Sequence, residues 1–248
     1  MQNQVHLLLV LTDHTLDLVE QQFGDFNSQI FAITKAHHTV YAICDKWPEE
    51  PIPDLNEFDG IIFSGSAAML DEDKPWMRAS IQLMLQAIKK EIPLLGICFG
   101  HQLLGKACQA LVGPNPLGRA LGSRQITVIK KNDPLLRNIP FQFWAQTSHR
   151  DVVLSQSPHF EVLAQAPHDP FHIIKAGKNA YGVQFHPEWN INIMKIYLET
   201  RKSAFDNEWG EKATEKQLAN SKTSDEASSI LSRFVDICRQ KNHHDNEK

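Results

Sequence analysis

The chain passes from an apolar run at 92–97 into a helical pattern at 100–112, and a single cysteine, Cys98, stands between two glycines at the change. Leu103, Leu104, Ala107 and Leu111 recur at helical spacing beyond it, which puts Cys98 on a strand-to-helix turn. A turn that sharp needs Gly96 and Gly100, because residues without a Cβ tolerate close backbone approach and unusual dihedrals. The constraint is severe: a buried strand must end, a helix must start, and the thiol must stand at their junction. Unpaired N–H groups and the positive helix end at such a position favour thiolate over thiol.

The remaining pattern fits this junction into a layered fold. The run at 5–11 reads as a first strand, and further strands are expected at 39–43, 60–63, 92–97, 124–129, 152–154, 160–164, 171–174 and 181–185. Helical patterns at 15–23, 76–90 and 100–112 lie between the early strands. Alternation of this kind predicts an α/β fold, a mostly parallel central sheet with helices on both faces. The successive strands of the second half predict a small antiparallel patch beside it. The 248 residues, 42% of them hydrophobic, suffice for one core. We expect one α/β domain over 1–200 and a helical C-terminal extension over 201–248, richer in Lys, Glu, Ser and Asn. In that extension Ile230, Leu231, Phe234, Ile237 and Cys238 form an apolar stripe, which docks either on its own domain or on a partner, as in a homodimer. His243 and His244 sit in the final polar run without metal-ligand spacing.

A second chemical cluster, Gln184-Phe185-His186-Pro187-Glu188, follows the last expected strand. In strand geometry His186 and Glu188 point to one face, so the carboxylate can hold one imidazole nitrogen and leave the other for a thiol. Gly100-His101-Gln102-Leu103-Leu104-Gly105-Lys106-Ala107 approaches a phosphate loop, but Ala107 stands where magnesium needs a hydroxyl, and no other nucleotide motif is read. A net charge of −4 leaves no basic footprint for nucleic acid or membrane. The cysteines at 44, 98, 108 and 238 have neither disulfide nor zinc spacing, so no metal or cofactor is expected. With no leader or membrane span read in the sequence, the expected compartment is the cytoplasm.

Together the cysteine elbow and the His-Pro-Glu segment resemble the class I glutamine amidotransferases, a flavodoxin-like α/β family with a Cys-His-Glu triad. The resemblance implies Cys98, His186 and Glu188 as catalytic residues. It implies oxyanion donors at the backbone of Phe99 and in the loop Ser64-Gly65-Ser66-Ala67, which is similar to the family's Ser-Gly-Gly-Pro. There Ser66 replaces the second glycine, and its backbone is expected to be the more strained for it. The segment Ser148-His149-Arg150-Asp151 resembles the Ser-His-Gly-Asp substrate loop, so Gly65, Gln102, Ser148 and His149 are expected around the substrate. Arg150 stands in place of glycine and either clamps a carboxylate or faces solvent.

The resemblance implies glutaminase-type hydrolysis of a γ-glutamyl amide, with L-glutamine as substrate and ammonia passed to a separate synthase in trans, the acceptor being of the guanylate-synthesis kind. The alternatives are a free-standing γ-glutamyl peptidase and a non-catalytic glutamine-binding regulator, against which the intact triad counts.

Overall fold

The computed structural model describes residues 4–245, and side chains as far as Gln240, so His243 and His244 lie outside the described side chains. Its first half runs β1 (His6–Leu11), α1 (Asp17–Phe23), α2 (Phe26–Thr34), β2 (His37–Ala42), α3 (Ile43–Lys46), β3 (Gly60–Phe63), α4 (Pro75–Lys89), β4 (Leu94–Ile97) and α5 (Phe99–Ala107). A series of strands follows: β5 (Val112–Pro114), β6 (Ala120–Val128), β7 (Gln142–His149), β8 (Asp151–Val153), β9 (Phe160–Ala166), β10 (Asp169–Ala176) and β11 (Ala180–Val183). Four helices then close the described chain: α6 (Ile191–Thr200), α7 (Lys202–Trp209), α8 (Ala213–Ala219) and α9 (Asp225–Asp245).

One sheet has the order β2-β1-β3-β4-β11-β10-β9-β6-β7. The first five strands are parallel. From β11 onward the pairing is antiparallel. The expected antiparallel patch therefore continues the parallel sheet, while β5 and β8 form a separate pair. Burial on both faces explains why β3 and β4 read as unbroken apolar runs. Leu7, Leu9, Ile62 and Leu95 belong to the core on one face, with α2 and α9. Leu8, Ile61, Phe63 and Leu94 belong to the core on the other, with α4 and α5.

Three local expectations need correction. Helix α5 stops at Ala107, because Gln109 turns into the left-handed region at φ 64°. Its end is closed by Gln109 N–H donating to the Lys106 carbonyl and Ala110 N–H to that of Gly105, both at 3.0 Å. Leu111, which matches the helical period, lies past that end and is 66% exposed. Ser148 and His149 sit on strand β7 rather than in a loop. Its inward side chains at Phe143, Ala145, Thr147 and His149 alternate as a strand requires. Helix α2, which the apolar spacing does not announce, begins where the Asp25 side chain accepts the Ser28 N–H.

The apolar stripe of the extension is buried in the molecule itself. Ile230, Leu231, Phe234 and Cys238 have no exposure and share a core with Leu7 and Ile126, so this stripe is not an open partner face. Phe234→Ala is expected to cost about 3–5 kcal/mol, measured by urea unfolding. A loss below about 1 kcal/mol would mean that α9 does not support the sheet.

Candidate active site

The neighbouring strands β1, β3, β4 and β11 deliver the site from their carboxyl ends, where ligands collect in open parallel sheets. Thr12 and Asp13 follow β1, Ser64 to Ser66 follow β3, Cys98 follows β4, and Gln184 to Glu188 follow β11. Cys98 caps α5 with φ 51° and ψ −99°, an uncommon backbone state for a side chain with a Cβ. The elbow glycines are steric necessities. A Cβ at Gly96 would lie 2.4 Å from the Gly100 carbonyl oxygen, and one at Gly100 would lie 2.9 Å from Phe63. Cys98 N–H donates to the Val183 carbonyl at 2.8 Å, tying the elbow to the neighbouring strand. Its sulfur is 3.9 Å from the Ser148 carbonyl and 3.8 Å from Gln184 Nε2.

His186 lies past the end of β11, where its N–H donates to the Gln146 carbonyl at 2.9 Å. Strand geometry is thus kept by a single bridge rather than by β11 itself. Its Nδ1 pairs with Glu188 Oε1 at 2.7 Å, and both residues are buried. Burial pulls the imidazole pKa down, but the Glu188 carboxylate and the neighbouring Cys98 outweigh it and push the value up to about 10. Trp189 stacks flat on the imidazole, with centroids 3.7 Å apart and planes 8° from parallel. At the Cε1 end of the ring only a glycine fits, since a Cβ at Gly65 would lie 2.8 Å from that atom.

The C-terminal segment buttresses this arrangement. Gln146 Nε2 donates to the Lys222 carbonyl at 2.7 Å, and Ser224 Oγ donates to the Trp189 carbonyl at 3.2 Å. Neither Lys222 nor Ser224 carries a motif, and nothing in the sequence marks them as supports of His186.

The loop after β3 is held by two residues that belong to no motif. Thr12 Oγ1 lies 3.0 and 3.1 Å from the Ser64 and Gly65 carbonyls, and Asp13 accepts from Ser66 Oγ at 3.1 Å and from Ala67 N–H at 2.8 Å. Ser66 is not among the residues with positive φ, so the serine in place of glycine carries no left-handed strain, contrary to expectation. Phe99 opens α5, where a backbone N–H has no intrahelical acceptor.

A cleft of about 290 Å³ joins these groups. Gly65, Ser66, Cys98, Gln102, Ser148, His149, Arg150 and His186 line it together with Asp13, Arg119, Trp189, Tyr197 and Arg201. Gln102 is buried, its Nε2 donating to the Asp151 carbonyl at 2.8 Å. Arg150 is exposed at the rim. Sets of described residues with metal-ligand spacing include neither Cys98 nor His186.

The model of the family "Glutamine amidotransferase class-I" matches residues 23–200, most of the chain. The chain belongs to that family. One component of the glutamine-hydrolyzing GMP synthase of Methanothrix thermoacetophila is 31% identical over 191 residues, covering 77% of this chain and 94% of that component. The GMP synthase of Porphyromonas gingivalis is 31% identical over 175 residues, covering 69% of this chain and 33% of that enzyme. The chain thus spans about a third of the length of that longer relative. A glutamine amidotransferase from Thermotoga maritima has the same fold, with TM-score 0.73 at 20% identity, covering 96% of this chain and 98% of that one.

The raised imidazole pKa has a stability signature. Stabilisation from the charged His186 beside Glu188 is full below the ordinary histidine value of 6.5 and is lost as pH climbs through about 10. Thermal unfolding at pH 6.5 and pH 10 should show a larger alkaline loss for the wild-type chain than for Glu188→Gln. Equal losses would contradict a charged pair.

Proposed function

We propose that this amidotransferase hydrolyses a γ-glutamyl amide through a thioester on Cys98, with His186 as acid and base and Glu188 as its orienter. The observation that carries the reading is the buried 2.7 Å His186–Glu188 pair beside a cysteine on a strained elbow. The Cys98 sulfur attacks the γ-carbonyl carbon, and the oxyanion takes the N–H groups of Phe99 and Ser66. The C–N bond then breaks as His186, charged at neutral pH, protonates the departing nitrogen from the ring nitrogen not held by Glu188. Water, giving its proton to the now neutral His186, attacks the thioester, and breaking the C–S bond releases glutamate and returns the thiolate beside the charged imidazole. In this reading the backbones of Ser148 and His149, together with Gln102, receive the amino-acid head, and Arg150 at the rim offers a carboxylate partner.

L-glutamine is the first substrate in this reading, with ammonia passing to a synthase bound in trans, as the likeness to the separate GMP synthase component supports. Free thiols at Cys44, Cys98 and Cys108 suit a reducing cytoplasm, and no helix of the described residues is long and apolar enough to cross a membrane. A second reading, hydrolysis of larger γ-glutamyl amines, is favoured by the reach of the cleft to Arg119, Tyr197 and Arg201, which leaves room beyond a carboxamide.

Ammonia or amine release from L-glutamine and from γ-glutamyl dipeptides should separate the two. Cys98→Ser is expected to lower turnover by about 10³-fold or more, and His186→Asn by about 10²- to 10⁴-fold. Unchanged turnover in Cys98→Ser would remove the thioester from the mechanism.

A further inference from the structure

Behind the cleft lies a cluster of buried polar side chains that amide hydrolysis, as proposed, does not use. His149 ends β7, and Asp169 and His172 belong to β10. Asp169 and His172 are 0% exposed and His149 is 4% exposed. One ligand atom from each lies within 4.8 Å of those of the other two. Asp169 Oδ2 and His172 Nδ1 are 2.9 Å apart, a hydrogen-bond distance that must open by about 0.5 Å to seat both atoms on one tetrahedral ion.

The cluster is short of partners. His149 Nε2 and His172 Nε2 are buried with no hydrogen-bond partner among the described residues, as is Nε2 of His168, which stacks on His149 at 5.9 Å. An interior ordinarily satisfies such atoms, because each one left unpaired costs about 1–3 kcal/mol. Asp169 carries a wholly buried carboxylate.

We propose that His149, Asp169 and His172 form a structural site for one divalent transition-metal ion of the zinc class. The ion takes Nδ1 of His172 as that ring's proton moves to Nε2, binds Asp169 Oδ2, and draws in the free Nε2 lone pair of His149. Two imidazoles and a carboxylate suit zinc, and the burial of all three keeps the ion's fourth position away from substrate. Its position gives it a purpose. It joins β7, which carries Ser148 beside the Cys98 sulfur, to β10, whose His172 carbonyl accepts the Gln184 N–H at 2.9 Å. The ion would thus brace two walls of the cleft from behind without touching substrate. The assignment is independent of which amide the cleft accepts.

A second set, His14, Cys44 and Asp45, also has ligand spacing, but His14 and Asp45 are exposed and already pair at 2.7 Å. The experiment must tell the two apart. The full chain, stripped with a chelator, is titrated with Zn²⁺ and separately with Co²⁺. Metal retained after desalting is measured by elemental analysis, and the cobalt complex by its visible spectrum. The expected result is one equivalent retained, a nitrogen and oxygen cobalt spectrum without thiolate charge transfer, and a rise in melting temperature on zinc addition. Asp169→Asn and His172→Gln should each weaken retention at least tenfold, and Cys44→Ser should leave it unchanged. The wild-type cobalt spectrum is decisive even if a core variant fails to fold. No retained metal in the wild-type chain, thiolate charge transfer in its spectrum, or retention lost in Cys44→Ser would overturn the assignment.

Discussion

Cys98 occupies a backbone state that only a surrounding structure can enforce. At φ 51° and ψ −99° a residue with a Cβ is strained by about 1–3 kcal/mol, and such strain persists only where neighbouring contacts leave no alternative. Here the neighbours are the hydrogen bond to Val183, the direct packing of Gly96 against Gly100, and the fit of Gly100 under Phe63. Together they require β3, β4 and β11 to be adjacent, so the thiol's position rests on the central sheet. The sheet in turn gathers the segments after β1, β3, β4 and β11 around the sulfur, since these strands are neighbours that end on the same side.

Two means of control act on His186. Nδ1 is committed to Glu188, and the ring's plane is set by the stacked Trp189, with Gly65 leaving the space its Cε1 end needs. Substituting any of the three changes orientation or charge without removing the imidazole. Buried hydrogen bonds of this kind are worth more than exposed ones, because little water competes for the same atoms.

What the sequence makes legible here is local. The elbow and the His-Pro-Glu segment are short, contiguous and built from residues whose chemistry or missing side chain is unusual, so spacing alone brings them out. The parallel half of the sheet shows through because strands buried on both faces are continuous apolar runs. Strand β7 is hidden by its composition: Gln146 and His149 are polar yet buried, and their burial depends on segments distant in the chain. Asp13 shows the same limit. It is an ordinary aspartate after a strand, and its hold on Ser66 and Ala67 spans 53 and 54 positions, bridged only because β1 lies beside β3. Helix α5 reads too long because Leu111 keeps the helical period past a left-handed turn at Gln109, a position where glycine would signal the stop.

The hydrogen bond from Gln146 to the Lys222 carbonyl sets an order of events for a growing chain. A ribosome releases Cys98 and His186 well before Lys222, Ser224 and the helix that follows them. During that interval the thiol and imidazole exist without the segment that holds the imidazole's support in place. Full support of His186 therefore waits for the segment around Lys222 to fold back, so a chain interrupted or cut before it carries Cys98 beside an unbraced imidazole.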